Sequence, residues 1–363
     1  MESKTAELLS PEKTARDRGL RVVAIGGGTG LSTLLKGLKR FVLSPAEVSA
    51  QPGQPDSPII RELSAVVTVS DDGGSSGRLR KELNMLPPGD VRNCIVALSE
   101  DEALLSRLFR HRFAKGSGLE GHSFGNLFLA ALTSLTSDFS EAVRLSSEIL
   151  VTRGHIYPAT TSNIELEALM EDGTRVRGET KITASKGRIR ELFLVPPDVG
   201  PMPQTLEAIA HADMITIGPG SLFTSLIPNL LVRGIAKAIV ESPATKVYIC
   251  NLMTQANESL GLTAADHIRA LNRHAQKQIF DFALINRTPV SDELKTKYAS
   301  EGACQIVNDL DAIEALGVIP VLGDYLDEGP VARHDTERVS RDLMHLVAQH
   351  PRPLHDLVRG NPD

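Results

Sequence analysis

The stretch that decides the fold is Arg21-Val22-Val23-Ala24-Ile25-Gly26-Gly27-Gly28-Thr29-Gly30. Arg21–Ile25 reads as a short apolar strand. Leu31, Leu34, Leu35 and Leu38 then recur at i, i+3, i+4 and i+7, which predicts a helix over Thr29–Arg40 with one apolar face. Between strand and helix lies a run of glycines. Glycine lets the backbone approach a ligand closely, and a helix start presents unpaired N–H groups, so strand, glycine loop and helix in this order suit a phosphate. A purely structural turn is the alternative. Gly26 and Gly28 fit the dinucleotide fingerprint, but its third glycine is Leu31 here. The pattern GxxxxGK[ST] fails outright, which disfavours a P-loop NTPase.

Outward from this unit, strand and helix patterns alternate. Residues 44–60 carry Pro45, Pro52, Pro55 and Pro58 and read as a long loop. A second buried strand is predicted over Leu63–Val69, and helices over Asp90–Leu98, Glu102–Phe113, Asn126–Leu135 and Asp138–Leu150. Asn126–Leu135 is apolar almost all round, which predicts burial. The pattern then changes. Alternation from Ile164 to Met170, the Asp172-Gly173 dipeptide, Val176, Ile182 and the run Ile189–Val195 predict an antiparallel β insertion over 152–197, with a type I′ turn at Asp172-Gly173. Afterwards helix Gln204–Ala212, strand Met214–Gly218, a helical stretch Ser221–Val240 broken near Pro228, strand Lys246–Leu252, helix Ala264–His274, strand Phe280–Asn286 and helix Asp292–Ser300 follow. Short strands near Ile306 and Val318 and a final helix Glu337–Gln349 complete the pattern. Repeated β-α units imply a mostly parallel sheet covered on both faces, a Rossmann-like three-layer αβα arrangement. Residues 1–20 and 350–363 read as tails around one α/β domain over 21–349.

In such a sheet, ligands bind at the carboxyl ends of the strands. Strand two leads into Ser70-Asp71-Asp72-Gly73-Gly74-Ser75-Ser76-Gly77-Arg78, where acids, backbone N–H groups, hydroxyls and a guanidinium suit a phosphorylated, sugar-bearing ligand. The Asp71-Asp72 pair would either hold a ribose, as acids do in dinucleotide folds, or bind Mg²⁺ beside a diphosphate. A solvated surface loop is the plain alternative. Pro88-Gly89-Asp90-Val91-Arg92-Asn93 is either a pocket rim or a helix start capped by Asp90. Gly121-His122-Ser123-Phe124-Gly125-Asn126 precedes the apolar helix; both His122 and Asn126 are candidate ligand-binding residues, Asn126 with helix capping as its alternative and His122 as a group that would titrate or bind a hydroxyl. Gly218-Pro219-Gly220-Ser221 again follows a strand and opens a helix, a second phosphate cradle. Asn251-Leu252-Met253-Thr254-Gln255 offers amides and hydroxyls for a base or sugar, or for capping a helix.

Composition narrows the classes. With 41% hydrophobic and 23% charged residues and a net charge of −6, the chain is globular, and it lacks the basic stretches that nucleic acid requires. No apolar run approaches a membrane span, and Met1–Leu20 has no signal-peptide core, which points to the cytoplasm. Cys94, Cys250 and Cys304 form no CxxC pair and read as small core residues. The histidines show no HExxH spacing, so Mg²⁺ on Asp71 and Asp72 is the one metal reading the sequence offers.

Taken together, Ile25–Leu31, Ser70–Arg78 and Gly218–Ser221 resemble the CofD-like superfamily. With Gly121–Asn126, Asn251–Gln255, Lys297-Tyr298-Ala299 and Val331-Ala332-Arg333-His334-Asp335, the chain resembles the gluconeogenesis and morphogenesis factors of the YvcK type, from about residue 21 to 349. The resemblance implies a Rossmann-like fold with a β insertion and binding of a UDP-sugar, notably UDP-N-acetylglucosamine. It also implies a role coupling carbon metabolism to cell-wall synthesis and cell shape, with cell-wall or regulatory proteins as partners; a homodimer is left open. By motif, Thr29 falls in the nucleotide loop, and Tyr298 and Arg333 match ligand-contacting positions. The other branch of the superfamily transfers a phospholactyl group from a nucleoside diphosphate carrier to a deazaflavin, a reaction for which Asp71 and Asp72 would be the candidate catalytic groups. No Ser-His-Asp or Cys-His arrangement is visible. A binding factor therefore ranks first, a transferase second and an NAD-dependent dehydrogenase third.

Overall fold

The computed structural model of the chain describes residues 19–42, 59–99, 104–185, 187–256 and 258–350. Most of both predicted tails and of the proline-rich loop lies outside them. Seven strands build the main sheet: β1 (Leu20–Gly26), β2 (Ile60–Val67), β3 (His155–Pro158), β7 (Met214–Ile217), β8 (Thr245–Ile249), β9 (Phe282–Asn286) and β10 (Ile319–Gly323). Their spatial order is β10-β9-β8-β7-β1-β2-β3, and every neighbouring pair is parallel. The β1 and β7–β9 runs are apolar with little alternation because helices cover both faces; Val22–Ile25 and Phe282–Ile285 are almost wholly buried. The helix Gly28–Leu38 packs its Leu31, Leu34, Leu35 and Leu38 face into this core as its spacing predicts.

The strand order reverses direction at β1. The chain steps outward to β2 and β3 on one side, then returns to place β7, β8, β9 and β10 on the other. The crevice between the carboxyl ends of β1 and β7 is therefore the topological switch point, where the diverging connections leave room for a ligand.

The small antiparallel sheet contains β4 (Glu165–Met170), β5 (Arg175–Arg177) and β6 (Ile189–Val195), in the order β5-β4-β6. Within the predicted 152–197 insertion, His155–Pro158 instead pairs with β2 as an edge of the main sheet. Ile182 lies in a short helix, Glu179–Ala184, not on a strand. The hairpin turn is also not type I′. Gly173 N–H donates to Met170 O (3.0 Å) and Met170 N–H to Thr174 O (2.8 Å), while Gly173 alone takes positive φ (+87°) and Asp172 does not. That is a three-residue loop ending in a left-handed glycine, the next most common hairpin geometry.

Four further expectations are corrected. The helix Phe124–Thr136 is only partly buried: Leu129 is inside but Leu135 is 81% exposed. The stretch after β7 begins with a π-helical turn, Leu222–Leu226, continues as Ile227–Leu231 and breaks at Val232–Gly234, where Gly234 takes φ +89°; Pro228 sits in the first turn of its helix, a position that needs no N–H donor. No strand forms at Ile306, where Gln305 makes only an isolated bridge to Met253. Cys94 and Cys250 are buried, but Cys304 is exposed. A hairpin that the periodicity does not reveal, β11 (Leu326–Glu328) and β12 (Ala332–His334), follows the last main-sheet strand. No single helix among the described residues is long and apolar enough to cross a membrane.

Candidate functional site

The loops after β1 and β7 meet at the switch point. A Cβ placed on Gly30 would lie 2.2 Å from Pro219 O, so the two loops touch backbone to backbone. Gly28 takes φ +61°, a conformation that disfavours any side chain. The helix that starts there has Gly27 at its N-cap, no capping side chain and no acid in its first turn. Apart from Gly28 N–H, which faces the Asp90 carboxylate, its first-turn N–H groups and positive dipole end are thus left for an anion. Asn229 fixes the arrangement from inside: its buried amide donates to Gly26 O (3.2 Å) and Ser225 O (2.8 Å). Asn251 holds the second loop by a reciprocal pair, accepting from Gly220 N–H at 3.0 Å and donating to Gly220 O at 2.7 Å.

A cavity of about 390 Å³ opens between these loops. Gly27, Gly28, Thr29 and Gly30 line one side, and Pro219, Gly220 and Ser221 the other. Asn251, Thr254 and Gln255 line it from the segment after β8, Tyr298 from the helix Asp292–Ala299, and Arg333 from β12. Gln255 Nε2 donates to Ser221 Oγ (2.8 Å), while Gln255 Oε1 is buried without a partner. Tyr298 Oη accepts from Ala332 N–H at 3.2 Å and so anchors the hairpin that carries Arg333. Arg333 is exposed and enters no ion pair or hydrogen bond among the described residues, so its guanidinium is uncommitted. The neighbouring His334 donates from Nε2 to Cys250 O (3.0 Å); burial lowers its pKa to about 4 and keeps the ring neutral. With Nε2 beside a carbonyl, the ring serves as the donor.

The second group of predicted site residues does not line this cavity. Asp71 Oδ1 accepts from Gly73 N–H (2.9 Å), and Asp72 Oδ1 accepts from Thr180 N–H (2.8 Å) and Thr180 Oγ1 (2.5 Å). Asp72 therefore anchors the short helix of the insertion. Ser75 Oγ meets His122 Nδ1 (2.8 Å) and accepts from Asn126 Nδ2 (3.1 Å), a buried polar knot in which burial, with Arg78 nearby, lowers the His122 pKa. Ser123, not Asn126, caps the helix Phe124–Thr136 through its Oγ. Arg78 is tied to Glu120 O at 2.6 Å. Ser76 and Gly77 are buried in the helix Gly74–Leu83. Gly26 and Gly218 sit behind the loops they begin.

Asp90 links the two groups. It is not an N-cap; Pro88 holds that position and Asp90 lies in the first turn of the helix Gly89–Leu98. Its carboxylate accepts from the Gly28 backbone N–H, directly beneath the glycine loop. Burial, partly offset by that bond and reinforced by Asp71, raises its pKa to about 6. Burial together with Asp71, Asp90 and Asp72 raises Glu179 to about 9. Among the described residues no three carboxylates, histidines or cysteines converge on a point that would hold a metal. Asp72 is engaged by the insertion and does not fit a magnesium site; Asp71 alone retains an oxygen, Oδ2, facing Gly89. Asp90, Asn229 and Gln255 are the residues that sequence reasoning missed or left undecided. Their roles depend on contacts between distant segments, which no local motif records.

The model of the family described as 2-phospho-L-lactate transferase CofD matches residues 22–326. The chain belongs to the CofD family. Within it, the chain is 49% identical over 325 residues to the gluconeogenesis factor of Halalkalibacterium halodurans, covering 89% of this chain and 95% of that one. It is 45% identical over 331 residues to the gluconeogenesis factor of Bacillus subtilis, covering 91% and 98%. A crystal structure of a UPF0052 family protein from Bacillus halodurans superposes with a TM-score of 0.82 at 48% identity, covering 90% of this CofD-family chain and 99% of that one.

Proposed function

We propose that this CofD-family chain is a regulatory factor that binds a UDP-sugar, UDP-N-acetylglucosamine foremost, and acts in cell shape and in growth under gluconeogenic conditions in the cytoplasm. The observation that carries the reading is the convergence of a helix N-terminus whose N-cap glycine supplies no side-chain cap and the uncommitted Arg333 on one cavity at the switch point. Both are suited to a diphosphate, the helix through its N–H groups and Arg333 through a bidentate fork. Thr254, Asn251 and Gln255 offer hydroxyl and amide groups to base or sugar, and Tyr298 offers a ring on which either can pack. The relatives named gluconeogenesis factor support the physiological half of the proposal. Cell-wall synthesis or regulatory proteins are the partners such a factor would address.

Transfer of a phospholactyl group is the second reading, favoured by the family's description and by Asp90, whose raised pKa puts a proton within reach of pH 6 under the phosphate loop. Binding ranks first because Asp71 and Asp72, the candidate catalytic acids, lie outside the cavity. The test is calorimetry of the full chain with UDP-N-acetylglucosamine, UDP and NAD, followed by product analysis. Tighter binding of NAD than of the UDP-sugar would overturn the proposal, and release of UDP or transfer to a deazaflavin alcohol would move the chain to the transferase class.

A further inference from the structure

A second cavity, of about 310 Å³, lies between the insertion and the helix Ala264–Ala275. One wall is a single face of that helix, Asp266, Arg269, Ala270 and Arg273, spaced i, i+3, i+4 and i+7. The opposite wall is Arg188, Ile189 and Arg190 at the start of β6, with Glu171 from the hairpin turn. Four guanidiniums thus line one concavity.

The acids that share it are mostly committed elsewhere. Glu258 Oε1 accepts from Phe223 N–H (2.7 Å) and Thr224 N–H (2.9 Å) at the start of the π-helical turn. Asp266 accepts from Thr263 N–H (3.1 Å) in a capping box and pairs with Arg269 (2.7 Å). Arg188, Arg190 and Arg273 enter no ion pair among the described residues. A hydrogen bond from a backbone N–H does not cancel a carboxylate's charge, so the four guanidiniums face Glu171, Glu258 and Asp266, which leaves an excess of one positive charge. Arg188, Arg190 and Arg273 still have no carboxylate paired with them among the described residues, and an anion drawn between them would relieve their mutual repulsion. Guanidinium forks match phosphate oxygens bidentately, and the volume is at the lower end of small-molecule sites, roughly 300–1,000 Å³.

We propose that this cavity is a second ligand site, for a phosphorylated small molecule of about hexose-phosphate size, and that it regulates the glycine-loop cavity. The route is short. Phe223 and Glu258 line the arginine cavity, whereas Ser221, Ser225 and Gln255 line the glycine-loop cavity, so the π-helical turn and the residues 251–255 and Glu258 form a wall common to both. Gln255 is bonded to Ser221 across that wall and, through its N–H, to Ser259 Oγ (3.0 Å). A phosphate drawn between β6 and the helix Ala264–Ala275 acts on Glu258 and hence on the first turn that carries Ser221 and Ser225.

The regulatory half rests on the glycine-loop cavity being a ligand site; the binding half does not. The experiment is calorimetry of the full chain at low salt with glucose 6-phosphate and with inorganic pyrophosphate, on the wild type, on Arg190→Ala/Arg273→Ala and on Arg333→Ala, each checked for folding by circular dichroism. Binding of either probe that weakens at least about tenfold in the double variant but not in Arg333→Ala supports the site, tenfold being the loss of one charge-assisted contact. No binding to the wild type, equal binding to the double variant, or loss in Arg333→Ala alone overturns it. With probe bound, the affinity for UDP-N-acetylglucosamine should change by about 5- to 150-fold, the usual range of coupling, and an unchanged affinity removes the regulatory half. Probe binding by a chain that ignores the UDP-sugar would leave the second site standing and refute the proposed function instead.

Discussion

Gly30→Ala tests the contact on which the site is built. The added methyl would lie 2.2 Å from Pro219 O and 2.7 Å from Pro219 C. Carbon rests about 3.3–3.6 Å from a carbonyl oxygen, so the two loops must part by roughly 1 Å. Overpacking of this kind costs about 1–3 kcal/mol. Position 30 is helical, however, and alanine is favoured over glycine in a helix by about 0.8–1 kcal/mol, which offsets part of that cost. The net loss of stability is therefore about 0–2 kcal/mol, a fall of no more than several degrees in Tm. Binding should respond more. A loop displaced by that distance loses aligned contacts to the diphosphate, and one charge-assisted hydrogen bond is worth about 1.5–3 kcal/mol, or 10- to 150-fold in affinity. Calorimetry with UDP-N-acetylglucosamine and thermal unfolding read the two effects separately. Gly329→Ala, in the β11–β12 hairpin with its nearest neighbour at 4.0 Å, serves as the control and should change neither. Wild-type affinity and Tm in Gly30→Ala would refute the clasp between the loops.

Among the described residues Arg333 supplies the one guanidinium lining the glycine-loop cavity and makes no internal bond, so Arg333→Ala should weaken UDP-N-acetylglucosamine about 10- to 150-fold with an unchanged Tm. Asp90→Asn tests the carboxyl under the glycine loop. Folding raises this group's pKa from 3.8 to about 6, so its stabilising contribution is complete below pH 3.8 and is lost as pH rises through about 6. The Tm of Asp90→Asn relative to wild type should rise across that window and level off above it; a pH-independent difference would show that Asp90 does not titrate there. Incubation with UDP-N-acetylglucosamine and Mg²⁺ should return the nucleotide sugar intact, and formation of UDP that Asp72→Asn abolishes would contradict the binding reading.

The central sheet is legible because its strands are buried on both faces and announce themselves as apolar runs. Its switch point follows from chain order once the insertion is set aside. The β11–β12 hairpin is hidden, since Leu326–Glu328 is largely exposed and too short to show a period; Arg333 is reached through family resemblance alone. The helix Phe124–Thr136 misleads in the opposite sense. Its apolar circumference implies burial, yet Leu135 faces solvent, because hydrophobicity says what a side chain tolerates inside, not whether the fold has room for it. Asp90, Asn229 and Gln255 gain their meaning from Gly28, Gly26 and Ser221, partners 62, 203 and 34 residues away.

The Asp71-Asp72 pair shows why adjacency in sequence is a poor guide to a shared role. Successive side chains leave the backbone in different directions, and here Asp71 folds back on Gly73 while Asp72 reaches across to Thr180. One residue shapes the loop; the other ties down the insertion. The carboxylate that does reach the glycine loop is Asp90, and it is coupled back to Asp71 by repulsion, since Asp71 raises both Asp90 and Glu179. A negatively charged phosphate above Gly28 would disfavour ionised Asp90 further. The loop is thus built so that its underside is easier to protonate when its upper side holds an anion, and the insertion, through the repulsion between Glu179 and Asp90, shares in that balance although none of its residues lines the glycine-loop cavity.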